Sequence, residues 1–595
     1  MQLLHKVIKK VPQTKLAAGY PQANANETAV VLGVRQQLFQ KQLFFMVFRK
    51  RCNLVALTIK KTAKMNNGCT PNAITPGQQN AAENQTAESQ TLNRRNFVKT
   101  VSTTALGLTI LPRHVLGKGF VAPSDKITLG YIGCGTQGIR ELLPLLANSQ
   151  FQVTCVADPA KLAIGYKDWS KYGLRDEIRR AIKSPGWVSG GDNMVPGGRD
   201  NGKSIVETFY ANLRPELKYT GCNAYADPRE LLEKEKDLDA VKIMTPDHLH
   251  GILAIAALKR NKHVIMHKPM SNRLLEGKKV IAAAQATKAI THMVPWDSNG
   301  SMETVMAWIN AGAIGTLTEV HNWTNRPVWP QYPTLPADKP PVPDGLDWDL
   351  WLGPEADRPY HPNYTNMVFR GWYDFGGGSM ADMGHYSLWT VFNALQLQAP
   401  TVIIPNLSHV CAMQADPVPY QINNNFSFPM ASTVRFKYPA NGNRPPVDLC
   451  WYDGGMRPAI PDELMDANKE LPNEGMMFVG SKGKILAGFN VQSPQLLSGD
   501  KSATAGTAKE DKRSQVEQTS AALPLFIDAC KTGKQYPGNF AEAEHITEAV
   551  NLYAVALRTG KLLKYDAASM KITNVPDANK YLGREYRAGW APETI

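Results

Sequence analysis

One stretch of this 595-residue chain restricts the fold more than any other: ITLGYIGCGTQGIRELLPLLANSQFQVTCVAD, from Ile127 to Asp158. An apolar strand (residues 127–132) runs into Gly133, Gly135 and Gly138 in G-x-G-x-x-G spacing. An amphipathic helix follows, then a second strand (residues 152–157) that ends at Asp158. Gly133 permits the tight turn, Gly135 lets backbone approach a pyrophosphate, and Gly138 lets the helix pack close to the strand. Thr136 and Gln137 open the helix, whose free N–H groups and positive dipole end suit phosphates. Asp158 lies where a carboxylate would accept hydrogen bonds from an adenosine ribose diol and repel a 2′-phosphate. The pattern therefore predicts a βαβ dinucleotide-binding unit that takes NAD in preference to NADP.

The preceding residues point to a cellular address. Asn93-Arg94-Arg95-Asn96-Phe97-Val98-Lys99 precedes a mildly apolar run (residues 101–111) too short to span a bilayer comfortably. The paired arginines resemble a twin-arginine export signal, which predicts a partner in the export machinery and a periplasmic or otherwise exported protein. The leader is expected at residues 65–122, with cleavage between Gly117 and Ser124. Residues 1–64 hold twelve Lys or Arg against the single acid Glu27, which is +11 of the formal +14. The rest of the chain is close to neutral, so the high net charge implies no nucleic-acid binding by the folded part. Translation is expected to begin at Met65, with residues 1–64 a basic extension from a misassigned start. Eight scattered cysteines include no C-x-x-C pair, and no zinc-spaced His/Cys cluster occurs, so no metal site is predicted.

The remaining length suits two domains. Residues 164–220 interrupt the pattern with Gly-, Asn- and Pro-containing segments, read as surface loop with short helices. Alternation then resumes. Asp227-Pro228 caps a helix, residues 239–244 form a strand, 250–260 a helix, 263–266 a strand, 274–287 a helix and 291–294 a strand. Such alternation predicts a parallel sheet with right-handed crossovers, ligands sitting beyond the carboxyl ends of its strands. Thr245, Pro246, His250, His267, Lys268 and Pro269 fall at that edge. Downstream, His321-Asn322-Trp323-Thr324-Asn325-Arg326-Pro327-Val328-Trp329, then Arg370 and Trp372, combine aromatic faces with hydrogen-bonding side chains. Trp323, Arg326, Arg370 and Trp372 are candidate sugar-binding residues, although tryptophans of this kind are as often core.

Taken together, the motifs resemble the glucose–fructose oxidoreductase / inositol dehydrogenase / MocA (Gfo/Idh/MocA) family. The resemblance rests on Gly133-Cys134-Gly135-Thr136-Gln137-Gly138, Thr245-Pro246-Asp247-His248-Leu249-His250 and His267-Lys268-Pro269. Further support comes from Asp347-Trp348-Asp349-Leu350-Trp351-Leu352-Gly353-Pro354, Arg370-Gly371-Trp372-Tyr373-Asp374-Phe375-Gly376, Asp382-Met383-Gly384-His385 and Ala556-Leu557-Arg558-Thr559-Gly560-Lys561. It implies an α/β Rossmann domain (residues 123–300) plus an α+β domain (301–595) with an open, mostly antiparallel sheet, the last helices returning to the first domain. It also implies that Lys268 matches the lysine of the family's Glu-Lys-Pro motif, which bonds the reacting hydroxyl beside the nicotinamide. The residue before it departs: His267 stands where the family usually has glutamate. The family brings an Asp and a His to the substrate at i and i+4. Here Asp382 is followed by His385 at i+3 and Tyr386 at i+4, and His385 is favoured as the contact. A homo-oligomer is implied by resemblance alone.

These readings converge on an NAD-dependent oxidoreductase acting on a hydroxyl of a sugar, glycoside or polyol, with the nicotinamide cofactor retained. An NAD-using redox-assisted glycosidase and a non-catalytic sugar- or nucleotide-binding protein are the alternatives.

Overall fold

The computed structural model describes residues 125–595 apart from 163–164, 171, 189–194, 214–218, 220, 295–299, 414–417 and 505–521. The basic extension and the leader with Arg94-Arg95 lie outside the described residues.

Strand β1 (Ile127–Ile132) is buried along nearly its whole length, as a strand covered on both faces must be. Helix α1 (Thr136–Ala147) follows, burying Ile139, Leu142, Leu145 and Leu146 at helical spacing. The chain continues through β2 (Phe151–Ala157), α2 (Gly173–Ala181), α3 (Arg199–Leu213), β3 (Asn223–Tyr225), α4 (Pro228–Lys234) and β4 (Ala240–Ile243). Helix α5 (Asp247–Lys259), β5 (His263–His267), α6 (Leu274–Gln285) and β6 (Thr291–Val294) complete the first domain. Its six strands are all parallel, in the order β3-β2-β1-β4-β5-β6. The order reverses between β1 and β4, which opens a crevice at their carboxyl ends. The Asp227 carboxylate caps α4 by accepting from Arg229 N–H at 2.8 Å, as the Asp-Pro pattern predicts.

Two elements differ from expectation. Helix α5 begins three residues before residue 250 and is buried from Asp247 to Leu258, with His250 held by first-domain backbone and His248 packed against Trp351 and Phe375 of the second domain. Small Ala and Gly side chains let it sit between the sheet and its neighbours without an exposed face. The insertion is also more than surface loop. In α3, Ile205, Val206 and Tyr210 are buried, and Gly202 packs so closely that a Cβ there would lie 2.6 Å from Cys134 Sγ. Their spacing builds an apolar helical stripe that the Gly- and Pro-rich flanks obscure in the sequence.

The second domain contains α7 (Gly300–Asn310), β7 (Leu317–Trp323), α8 (Gly378–Ala394), β8 (Val402–Leu407), β9 (Cys411–Met413) and β10 (Pro419–Gln421). It continues through β11 (Ser432–Tyr438), β12 (Val447–Asp453), β13 (Gly475–Gly480), β14 (Lys484–Ala487) and β15 (Gln495–Ser498). Helices α9 (Leu523–Thr532) and α10 (Glu544–Thr559) and strands β16 (Leu563–Asp566) and β17 (Lys571–Ile572) follow. Among the described residues nine strands form one sheet, β15-β14-β13-β7-β12-β11-β8-β16-β17, antiparallel except for the β7–β12 pair. Strands β9 and β10 pair separately. Phe526 of α9 stacks on Phe151 of β2, with ring centroids 6.3 Å apart, so the late helices do pack on the first domain. Buried charges join the domains as well. Asp374 lies 3.4 Å from Arg273, 2.8 Å from Arg358 and 3.4 Å from Arg558, and Glu355 lies 3.2 Å from Arg273 and 2.7 Å from Arg584. Among the described residues, no helix is long and apolar enough to cross a membrane.

Candidate active site

The crevice opens into a cavity of about 300 Å³. Gly133, Gly135, Thr136, Gln137, Gly138, Asp158, Thr245, Pro246, His267 and Lys268 line it from the first domain, and Arg326, Arg370, Asp382 and Tyr386 from the second. The glycines act as their spacing suggests. Gly133 has φ +99°, and a Cβ on Gly138 would lie 2.2 Å from Gly133 O. At Gly135 a Cβ would meet only Tyr166, at 3.3 Å, so this backbone faces the cavity. Helix α1 has neither a side-chain cap nor an acid in its first turn, which leaves its N–H groups and dipole for an anion. Thr245 Oγ1 is buried without a hydrogen-bond partner at the cavity wall. Asp158 accepts from Cys134 N–H at 2.7 Å and Ala160 N–H at 2.8 Å, and burial pushes its carboxyl up to about 6 despite these donors. An anion-ready helix end, an orphan hydroxyl and a buried acceptor together fit a dinucleotide.

Lys268 ends β5. Its Nζ lies 2.9 Å from Asp382 Oδ1 and also donates to the Asp382 carbonyl. Arg370 Nε approaches the same carboxylate oxygen at 3.2 Å, and Arg326 Nε approaches Oδ2 at 4.0 Å. Burial alone would raise the Asp382 pKa, but Lys268, Arg370 and Arg326 pull it well below the ordinary range. The Lys268 pKa is lowered, chiefly by burial, with Asp382 opposing and Arg370 assisting. Burial favours the neutral amine that a general base needs, while Asp382 steadies the ammonium formed when that amine takes a proton.

The departure at His267 has a spatial answer. Glu141, one turn into α1, places Oε1 3.2 Å from His267 Nε2 and Oε2 2.5 Å from Lys242 Nζ. Burial would raise the Glu141 pKa, but Lys242 and then His267 hold it well below the ordinary range. A carboxylate thus stands beside position 267, delivered by a different element. The Tyr386 hydroxyl lies 3.4 Å from the same His267 nitrogen, and its ring centroid lies 5.0 Å from Lys268 Nζ.

Several sequence-predicted residues fall elsewhere. On α8, 100° per residue puts Tyr386 about 40° from Asp382 and His385 about 60° to the other side. Tyr386 therefore lines the cavity, whereas His385 is buried and turned from it, its pKa pushed down to about 3 by burial and then Lys268. His250 bridges backbone, with Nδ1 2.6 Å from Pro269 O and Nε2 2.8 Å from Thr245 O. Neither His250 nor Pro269 is a wall of the cavity. Trp323 is core: its indole N–H donates to Pro472 O at 2.9 Å, and it packs with Leu464, Leu471 and Met477. Trp372 is also core, donating to Asn363 O at 2.6 Å within a cluster of Trp348, Trp351, Tyr364 and Phe375. Strand alternation turns Trp323 to the far side of the sheet from Asn322, which bonds Ser387 of α8.

Sequence reasoning passed over Glu141 and Trp329. Glu141 reads as an ordinary polar position of an amphipathic helix. Trp329 lines the cavity, and its buried Nε1 has no hydrogen-bond partner, leaving a donor for a ligand oxygen. Arg370 sits 5.9 Å from its ring centroid. Away from the cavity, Glu319, His321 and Cys450 bring potential ligand atoms within 4.8 Å on β7 and β12, a grouping no spacing rule detects. Glu319 already pairs with His321 at 2.8 Å and Arg435 at 3.4 Å, so a protein cation occupies the place a metal would need.

A glycine-loop crevice carrying a buried lysine–aspartate pair across two domains defines a nicotinamide-dependent oxidoreductase. Residues 201–294 match the model for the oxidoreductase family NAD-binding Rossmann fold, and residues 302–401 and 451–592 match that for the family's C-terminal alpha/beta domain. The chain belongs to the Gfo/Idh/MocA oxidoreductase family. Levoglucosan dehydrogenase of Pseudarthrobacter phenanthrenivorans is 34% identical over 135 residues, 20% of this chain and 34% of that enzyme, so the match spans about a third of the relative. The chain is also similar to solved structures of levoglucosan dehydrogenase with NADH and L-sorbose (13% identity, TM-score 0.42) and of the WlbA dehydrogenase from Bordetella pertussis with NADH and UDP-GlcNAcA (12% identity, TM-score 0.43). Each likeness covers 74% of this chain and 99% of the other.

Proposed function

We propose that this enzyme oxidises, or in reverse regenerates, one hydroxyl of a sugar, glycoside or polyol. The observation that carries the reading is the Lys268–Asp382 pair, 2.9 Å apart, in a cavity walled by arginines, Trp329 and Tyr386. Bound NAD supplies the hydride acceptor. Lys268 Nζ, in its neutral form, takes the substrate hydroxyl proton, and Asp382 stabilises the ammonium that results. Arg326, Arg370 and the Trp329 N–H bond the other hydroxyls, while aromatic faces cover the apolar side of the ring. Tyr386, steadied by His267, offers a second hydroxyl to the reacting oxygen. The same reading extends to export, on the strength of Arg94-Arg95, and to a homo-oligomer, on the family resemblance.

The test uses the full chain with its nucleotide and Lys268→Ala beside it, against a panel of sugars and aryl glycosides. Reduced-nicotinamide absorbance and aglycone release are recorded together. Net reduction that disappears in the variant is expected. Aglycone release without net reduction would replace this reading with a redox-assisted glycosidase. Silence across the panel despite bound nucleotide would leave a binding protein.

A further inference from the structure

The insertion after β2 does more than add α3 to the core. In its first segment Tyr166, Lys167, Asp168 and Trp169 all line the cavity. Tyr166 donates its hydroxyl to Asp158 Oδ1 at 3.4 Å. Its ring fills the space between two glycines, 3.3 Å from where a Cβ of Gly135 would lie and 2.4 Å from that of Gly197. Asp168 is 1% exposed at its side chain and lies 2.7 Å from Arg140 of α1. Both its carboxylate oxygens lie 2.7 Å from the same Arg140 Nη2, so the pair is closed on itself. The segment is also tied to the second domain. Asn366 donates to Gly165 O at 2.9 Å, and Arg326 lies 5.2 Å from the ring centroid of Trp169.

These anchors come from both walls of the crevice, so Tyr166 to Trp169 are held against the cavity by α1 on one side and by Asn366 and Arg326 on the other. We propose that Tyr166, Asp168 and Trp169 are nucleotide-retaining residues, and that the Arg140–Asp168 pair is the latch that must open before the dinucleotide leaves. The inference rests on the cavity being a dinucleotide site and deepens it, since a latched nucleotide would have to be reoxidised in place by a second substrate.

The experiment measures nucleotide release from the full chain. Protein loaded with NADH is mixed with excess NAD, and loss of bound NADH fluorescence is followed in the parent, Asp168→Asn, Trp169→Ala and Asp176→Asn. Asp176 is an exposed member of the same insertion, 3.9 Å from Arg179. Release at least tenfold faster for Asp168→Asn and severalfold faster for Trp169→Ala is expected, with Asp176→Asn like the parent and Asp168→Glu partly restored. Release from Asp168→Asn within twofold of the parent would overturn the proposal. Hydrogen exchange on the unaltered protein decides the matter even if a variant misfolds. NADH should protect residues 165–169 together with the glycine loop. Protection of the loop alone would refute the latch and leave the dinucleotide reading intact. Protection of neither would refute both.

Discussion

Glu141→Gln removes one charge, at nearly constant volume, from a carboxylate serving two partners. Lys242 is 3% exposed at its side chain and lies 2.5 Å from Glu141; His267 lies 3.2 Å away on the other oxygen. Deleting one partner of a buried pair strands the other in a poorly solvating interior and costs about 3–5 kcal/mol. With an unfolding entropy of about 2.1 cal/mol/K per residue, a loss of about 4 kcal/mol lowers Tm by about 4 °C if the roughly 470 folded residues melt together. If the first domain, roughly 170 residues, melts alone, the fall is about 11 °C. Differential scanning calorimetry with and without nucleotide reads either number. Glu141→Leu combined with Lys242→Met should recover most of the loss, because it removes both charges rather than orphaning one. The pH dependence has a definite sign. A carboxyl held below its unfolded pKa contributes stability that is fully present above the ordinary glutamate range and drains as pH falls toward the folded value. The parent should therefore lose its advantage over Glu141→Gln only at strongly acid pH. A loss below about 1 kcal/mol at pH 7 would show that water reaches this pair and that its burial means little.

Other outcomes separate the residues that face the cavity from those that do not. Lys268→Met should slow hydride transfer by about 10²- to 10⁴-fold while NADH affinity, read by fluorescence titration, stays within about threefold. Tyr386→Phe should slow the same step by roughly tenfold, equivalent to one lost hydrogen bond, whereas His385→Gln should lower stability by about 1–3 kcal/mol and leave the rate within threefold. Asp158 accepts more strongly from a ribose diol when ionised, and its carboxyl is raised to about 6, so nucleotide affinity should weaken as pH falls through about 6 and lose that dependence in Asp158→Asn. Trp323→Ala should cost about 3–5 kcal/mol in urea unfolding without changing substrate KM, and Trp329→Phe should raise KM with little effect on stability.

The first domain was legible because its rules are local. Glycine spacing, strand–helix alternation and an acid at a set distance depend on a few adjacent residues, and they placed Gly133, Gly135, Gly138, Asp158 and Lys268 around one cavity. What was hidden depended on direction or on distance along the chain. His385 and Tyr386 differ by one helical step, yet that step decides which of them joins Asp382 at the cavity. Trp323 and Trp329 lie in the same aromatic run, but strand alternation sends Trp323 into the far core while the loop brings Trp329 to the cavity. Glu141 could not be matched to His267 from sequence, since 126 positions separate them and only the parallel sheet brings α1 above the end of β5. The insertion hid its role similarly: loop composition describes its ends, not the ring that Tyr166 lays between two glycines.

The motif residues that carry the family resemblance do not all carry chemistry, and the distinction explains how the site holds its shape. Asp374 closes the Arg370–Gly376 motif, yet it contacts Arg273, Arg358 and Arg558 rather than the cavity. Those cations together hold its pKa down to about 2 against burial. Arg273 follows Lys268 by five positions, and Arg558 lies in the late helix α10, so one carboxylate ties three distant segments together. Asp247, at the start of α5, accepts from Gly377 N–H at 3.0 Å and so fixes the turn that launches α8. Lys268 and Asp382 come from different domains, and a relative slip of one ångström would break a 2.9 Å contact. A buried lattice of charges is a costly way to stabilise a fold, but it specifies one relative position of two domains, which an apolar interface of the same size does less sharply. Asp374→Asn should thus shift kcat through the geometry of the Lys268–Asp382 pair while leaving NADH affinity near the parental value. Equal loss of both would mean that the lattice merely holds the first domain folded.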